Sequence, residues 1–209
     1  ADFIGAARSF IADPQWGVKA YEGRNEDVVP CLRCNKCHIP GPEKWNTVCS
    51  VNPEWGLEHK VERLVTPPAR KKKIAVVGGG PTGMEAALLA SKRGHDVTLY
   101  EKENKLGGLI NATEGIDIKW TLVNYRDYMI RQIEKSAVSV KLGVAADAEL
   151  LRGENYDEVI VAIGSEPAYP PIPGVHGGNV IPAIETVARE PEMSHEIVVV
   201  GGGEIGVEM

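Results

Sequence analysis

The chain has 209 residues, a net charge of −6 at neutral pH, 43% hydrophobic residues and 25% charged residues. That is the composition of an ordinary globular protein, with room for one large domain or for one domain and parts of others. The acidic balance disfavours nucleic acid as a partner, no apolar stretch reaches the length of a membrane span, and no signal-peptide pattern opens the chain.

Residues 1–30 carry Phe3-Ile4-Gly5-Ala6-Ala7-Arg8 and then a helix-like stretch from about Pro14 to Glu22. Residues 31–68 are rich in Pro, Gly, Trp and Cys and show little periodicity, so a bound metal centre would supply constraint that a small core cannot. All four cysteines, Cys31, Cys34, Cys37 and Cys49, lie there within 19 residues, spaced C-x2-C-x2-C-x11-C. A cubane needs one thiolate per iron corner, and three from one loop with a fourth returning later suits it. Zinc sites more often use two separate pairs, and Cys34 would then belong to both halves of one run. The spacing therefore favours a 4Fe-4S cluster over zinc, a disulfide or free thiols. His38 and His59 could stand in for a cysteine but read as surface histidines. Clustered cysteines without a disulfide pattern suit a reducing compartment, which makes a cytoplasmic location the expectation.

From Lys73 the texture changes. Ile74-Ala75-Val76-Val77 reads as a buried parallel strand, and Met84 to Arg93 as a helix ended by Gly94. The basic run Arg70-Lys71-Lys72-Lys73 before it reads as a solvated linker end. A second strand, Asp96 to Tyr100, closes with Glu101. Then come a loop with Gly107 and Gly108, a helix from about Lys119 to Ser136, strands near 138–142 and 158–163, and a Pro-rich crossover at 167–173. Strands alternating with helices predict an α/β fold with a doubly wound parallel sheet.

Gly78, Gly80 and Gly83 form a G-x-G-x-x-G turn in its full context: after a strand, opening a helix, with acidic Glu101 at the end of the next strand, 18 residues after Gly83. Gly78 would allow the sharp turn, Gly80 the approach of a pyrophosphate, and Gly83 close helix–strand packing. The helix N-terminus would offer N–H groups to the phosphates, and Glu101 would accept from a ribose. Gly201, Gly203 and Gly206 repeat the pattern behind Ile197–Val200, and the chain stops at Met209, so the residue that would separate NAD from NADP is not in this sequence. The sequence thus reads as a piece of a longer protein.

Cys31-Leu32-Arg33-Cys34-Asn35-Lys36-Cys37, with Cys49-Ser50-Val51-Asn52-Pro53, resembles the iron–sulfur segment of the 2,4-dienoyl-CoA reductase, enoate reductase and trimethylamine dehydrogenase family. Val76 to Ala87, Val97 to Lys102 and Leu106-Gly107-Gly108 resemble its flavin or ADP domain, and Val161-Ala162-Ile163-Gly164-Ser165-Glu166-Pro167 its crossing segment. Gly5-Ala6-Ala7-Arg8 and Ile11-Ala12-Asp13-Pro14 resemble the last βα loop of its FMN barrel.

The resemblance implies four parts: the end of an FMN-binding (β/α)8 TIM barrel at 1–30, an iron–sulfur segment at 31–68, an FAD or ADP domain at 69–195, and the start of an NAD(P)H domain at 196–209. It implies FAD contacts from Pro81, Thr82, Lys102, Gly107, Gly108, Ala162 and Gly164, and FMN phosphate contacts from Gly5, Ala7 and Arg8. The activity implied is reduction of an activated C=C bond in an enone or enoyl substrate, with electrons passing from NAD(P)H to FAD, cluster and FMN. A homo-oligomer is left open. No catalytic residue is implied here, and this stretch alone is not expected to complete the reaction. Ser9 and Leu109 depart from the family, where Pro and Gln are frequent; the second bears on the flavin-ring environment. The alternatives are an amine dehydrogenase relative with ADP at the first turn, and a zinc-stabilised nucleotide-binding module without redox chemistry.

Overall fold

The computed structural model describes residues 2–38, 47–189 and 196–208. Two short helices, α1 (Arg8–Ala12) and α2 (Trp16–Tyr21), precede the cysteine loop, and α3 (Glu58–Leu64) follows it. The helix expected from Pro14 to Glu22 is thus confined to Trp16–Tyr21, and neither α1 nor α3 was expected.

The rest alternates. β1 (Lys73–Val77), α4 (Pro81–Lys92), β2 (Asp96–Glu101), α5 (Trp120–Lys135), β3 (Ser139–Leu142), α6 (Ala148–Gly153) and β4 (Glu158–Val161) follow in order, then α7 (Ala183–Arg189) and α8 (Glu204–Glu208). The four strands form one parallel sheet in the order β3–β2–β1–β4. β1 is central and apolar, with Ile74, Ala75 and Val76 buried, as a strand covered on both faces must be. Connections from β1 run first to one side and then, with β4, to the other. The carboxyl ends of β1 and β4 therefore mark a topological switch point, where α/β sheets bind ligands.

Helix α4 buries Gly83, Met84, Ala87 and Ala90, and α5 buries Tyr125, Met129 and Ile133, so each presents one stripe at helical spacing. Those stripes close on Ile74, Val76, Val97 and Leu99 in a single core, which also takes in Ala12 and Val51 from the N-terminal segment. Cys31, Leu32 and Cys49 pack against the same core. Burying a side chain such as Met129 or Leu99 contributes on the order of 1.5–3 kcal/mol. The cysteine segment is therefore seated on the α/β unit rather than tethered to it.

One expectation is corrected and another extended. Ile197–Val200 is exposed, with Val198 87% exposed, and pairs with no strand among the described residues. A ladder needs a partner edge, so the apolar run alone does not become a strand. The basic run is also not merely solvated: Arg70 pairs with Asp157 (2.5 Å), Lys72 with Glu158 (2.6 Å), and Lys73 reaches Glu154 and lies over the Tyr156 ring. These bonds tie the entry of β1 to that of β4.

A Cβ at Gly83 would overlap the carbonyl oxygen of Gly78, so α4 packs on β1 only if that atom is missing. Gly83→Ala is expected to cost about 1–3 kcal/mol, the scale of an overpacked core, read as a lower urea midpoint.

Candidate functional site

At the switch point Gly78 has φ +108, and a Cβ there would overlap the carbonyl oxygen of Ala162, which follows β4. Ala162 N–H in turn donates to Val77 O (2.8 Å). Gly80 is different. A Cβ on it would meet only Gly108 Cα, at an ordinary 3.8 Å, so the protein's own packing does not require glycine there. The space it leaves is room for an incoming group.

The turn's N–H groups divide the same way. Gly78 donates to Tyr100 O and Gly79 to Glu101, whereas the N–H groups of Gly80, Thr82 and Gly83 have no protein acceptor among the described residues. No side chain caps α4, and Pro81 at its first position has no N–H to satisfy. An uncapped twelve-residue helix with free N–H groups and the positive end of its dipole is a ready anion site.

Glu101, 6% exposed, ends β2 with both oxygens engaged: Oε2 accepts from Gly79 N–H (2.6 Å) and Oε1 from Glu103 N–H (2.9 Å). Each oxygen keeps a second lone pair for a hydroxyl. The Gly107-Gly108 loop closes over this turn through Gly107 N–H to Gly79 O (2.9 Å). It is braced from below by buried Arg126, which bonds Asn111 and Glu114. Lys102, Thr82, Gly108 and Gly164 are exposed around the rim. The second turn repeats the close packing, since a Cβ at Gly206 would overlap the Gly201 carbonyl oxygen and Gly201 has φ +118; Gly203 stands in open space.

The four cysteines line one cavity. Arg8, Ile11, Leu32, Asn35, Ser50 and Val51 complete the described wall of this small hollow, about 10 Å³ in volume and partly open to solvent. Cys31 Sγ accepts from Arg33 N–H (3.4 Å), and Cys34 Sγ contacts Ser50 Oγ (3.3 Å). Burial would raise the Cys34 pKa, but the Ser50 contact and the Lys36 backbone offset it and the net direction is down, toward the thiolate that binds metal. Among the described residues no three His, Cys, Asp or Glu side chains stand close enough to hold a single ion. Four thiols on one small hollow are a donor set that either an iron–sulfur cluster or a zinc ion takes. His38 and His59 are exposed, and neither is in the described cavity wall.

Sequence reasoning missed what holds this loop. Asp13, 3% exposed, accepts from Lys19 Nζ (2.7 Å), Val29 N–H (2.9 Å) and Gln15 N–H (2.9 Å). Lys19 also bonds Asp27 O, and Asn52 Nδ2 donates to Ile11 O. These bonds fix the chain two residues before Cys31 and three after Cys49. The signal available was Asp-Pro at 13–14, a turn-forming pair. On the other side Arg33 and Asn35 hold left-handed backbone (φ 58 and 55), and the Arg33 guanidinium lies 4.7 Å from the centroid of the Trp120 ring, at the start of α5. Of the residues expected at an FMN phosphate, Gly5 and Ala7 are exposed, while Arg8 reaches into the cysteine loop and bonds Asn35 Oδ1 (2.5 Å).

A parallel sheet with a glycine turn and an acidic strand end at its switch point defines a Rossmann-like nucleotide-binding unit. Residues 76–122 match the NAD(P)-binding Rossmann-like domain family, and residues 128–209 match the pyridine nucleotide-disulphide oxidoreductase family. Over its full length the chain is 41% identical to the NADH oxidase of Thermoanaerobacter brockii, of which it spans 33%. It is 38% identical over 99% of its length to the bilirubin reductase of Mediterraneibacter gnavus, of which it spans 32%. A structure of 2-naphthoyl-CoA reductase aligns over 97% of this chain and 31% of its own, at a TM-score of 0.88 and 34% identity. The chain is thus similar over nearly its whole length to oxidoreductases and spans about a third of the length of these relatives.

Gly80→Ala is expected to leave the unfolding free energy, read by urea titration, within about 0.5 kcal/mol of the parent, while lowering nucleotide content by about tenfold, read by releasing and quantifying bound nucleotide. Asp13→Ala strands Lys19 and frees the approach to Cys31. A loss of about 3–5 kcal/mol is expected, as for breaking one side of a buried pair, again from the urea midpoint.

Proposed function

We propose that this chain is the electron-transfer portion of an NAD(P)H-dependent iron–sulfur flavoprotein that reduces activated C=C bonds in small enone or enoyl substrates. In this reading electrons pass from NAD(P)H to FAD, to a 4Fe-4S cluster and to FMN. The observation that carries it is the pairing of two sites on one core: four thiols around a single cavity, packed against the α/β unit that bears the free-N–H glycine turn.

Cys31, Cys34, Cys37 and Cys49 would hold the cluster, with the Arg33 N–H and Ser50 bonding to its sulfur ligands. Bound there, it would supply one-electron transfer between carriers that take electrons in pairs. The N–H groups of Gly80, Thr82 and Gly83 would hold the FAD pyrophosphate, Glu101 the ribose hydroxyls, and Gly107, Gly108, Ala162 and Gly164 the rim of that site. Residues 1–30 would belong to the FMN barrel, and Gly201, Gly203 and Gly206 to the NAD(P)H domain. Residues 31–68 and 69–195 would be the cluster segment and the FAD domain. A cytoplasmic location, where thiols stay reduced, goes with this reading. No helix among the described residues is long and apolar enough to cross a membrane.

Anaerobically purified protein is expected to carry about four irons and as many sulfides per chain, together with FAD, and its visible absorbance should bleach on adding NADH or NADPH. One zinc with no sulfide would overturn the cluster. ADP in place of FAD, with no response to NADH, would move the assignment to an amine dehydrogenase-like protein.

A further inference from the structure

We propose that Arg8 is a positioning residue of the cysteine site that sets the redox potential of the cluster bound there; this rests on the iron–sulfur reading above. Arg8 is the sole charged side chain among the described residues that wall the cavity, apart from the thiols themselves. The remaining wall is apolar (Ile11, Leu32, Val51) or neutral (Asn35, Ser50). Its guanidinium is held in place, with NH1 donating to Asn35 Oδ1, and Asn35 lies between Cys34 and Cys37 in left-handed backbone.

A cation that lines the same hollow as four thiols has an electrostatic consequence once they are thiolates. Accepting one electron adds one negative charge to the cluster, and net charge and local dipoles are what set its potential. Arg8 stabilises the reduced state more than the oxidised one, so it raises the midpoint. Partial burial in an apolar wall limits screening by salt. The guanidinium has further donors with no protein partner among the described residues, so the same side chain can also meet an anion on its outer side.

The test is an EPR-monitored reductive titration of the anaerobically loaded protein, with iron and sulfide assayed in each sample. Arg8→Met is expected to shift the midpoint to a more negative value, and Arg8→Lys to restore most of the shift. Arg8→Gln, whose amide can still reach Asn35, should behave like Arg8→Met and serves if the methionine variant loses iron. A neutral variant with full iron at the parent midpoint overturns the proposal. If both neutral variants lose iron, retention by Arg8→Lys supports the requirement for charge, and loss there too overturns it. A parent protein without iron and sulfide would instead refute the cluster itself.

Discussion

The structure depends on two places where backbone touches backbone because a β-carbon is missing. Gly78 lies against the Ala162 carbonyl and Gly83 against the Gly78 carbonyl, so β1, α4 and β4 meet at one point at the carboxyl end of the sheet. Any side chain there would push the helix or the outer strand away. The free N–H groups of the first helical turn are presented at this point, and Glu101 is held beside them by Gly79. A binding site is thus produced by close packing, with little contribution from side chains that reach for a ligand.

The second organising contact is hydrophobic. Ala12 and Val51 belong to the same core as Met84, Tyr125 and Met129, and the cysteine loop rests on it through Cys31, Leu32 and Cys49. Polar contacts fix the loop's orientation without carrying its weight: Arg33 over Trp120 at the start of α5, and Lys135 with Asp27 at its end. Helix α5 therefore touches both the cysteine loop and the loop beside the glycine turn. An isolated cysteine segment of this composition would have no core, and here it uses its neighbour's.

The α/β unit was legible in the sequence because its signals are local. Apolar runs fall at 74–77 and 96–100, glycines sit at the turn and after the helix, and an acidic residue stands where β2 ends. Those strands, and the long helix found at Trp120–Lys135, match their expected bounds to within a residue or two. The expected strand at Ile197–Val200 did not form, because strand formation requires a second edge that a local apolar pattern cannot supply. The anchors of the cysteine loop were illegible for the opposite reason. Asp13 with Val29, Asn52 with Ile11 and Arg33 with Trp120 join residues 16, 41 and 87 positions apart, and nothing in their local sequence names the partner. Arg8 was assigned by resemblance to a phosphate; its position against Asn35 is a fact of tertiary structure.

The shared core has a thermodynamic consequence. A ligand that binds only the folded form stabilises everything that unfolds with its site, by an amount set by its concentration relative to its dissociation constant. Ligands at the glycine turn and at the cysteine loop would both act on the one hydrophobic core that the two segments share, so each would stabilise the other's site although no side chain need touch both.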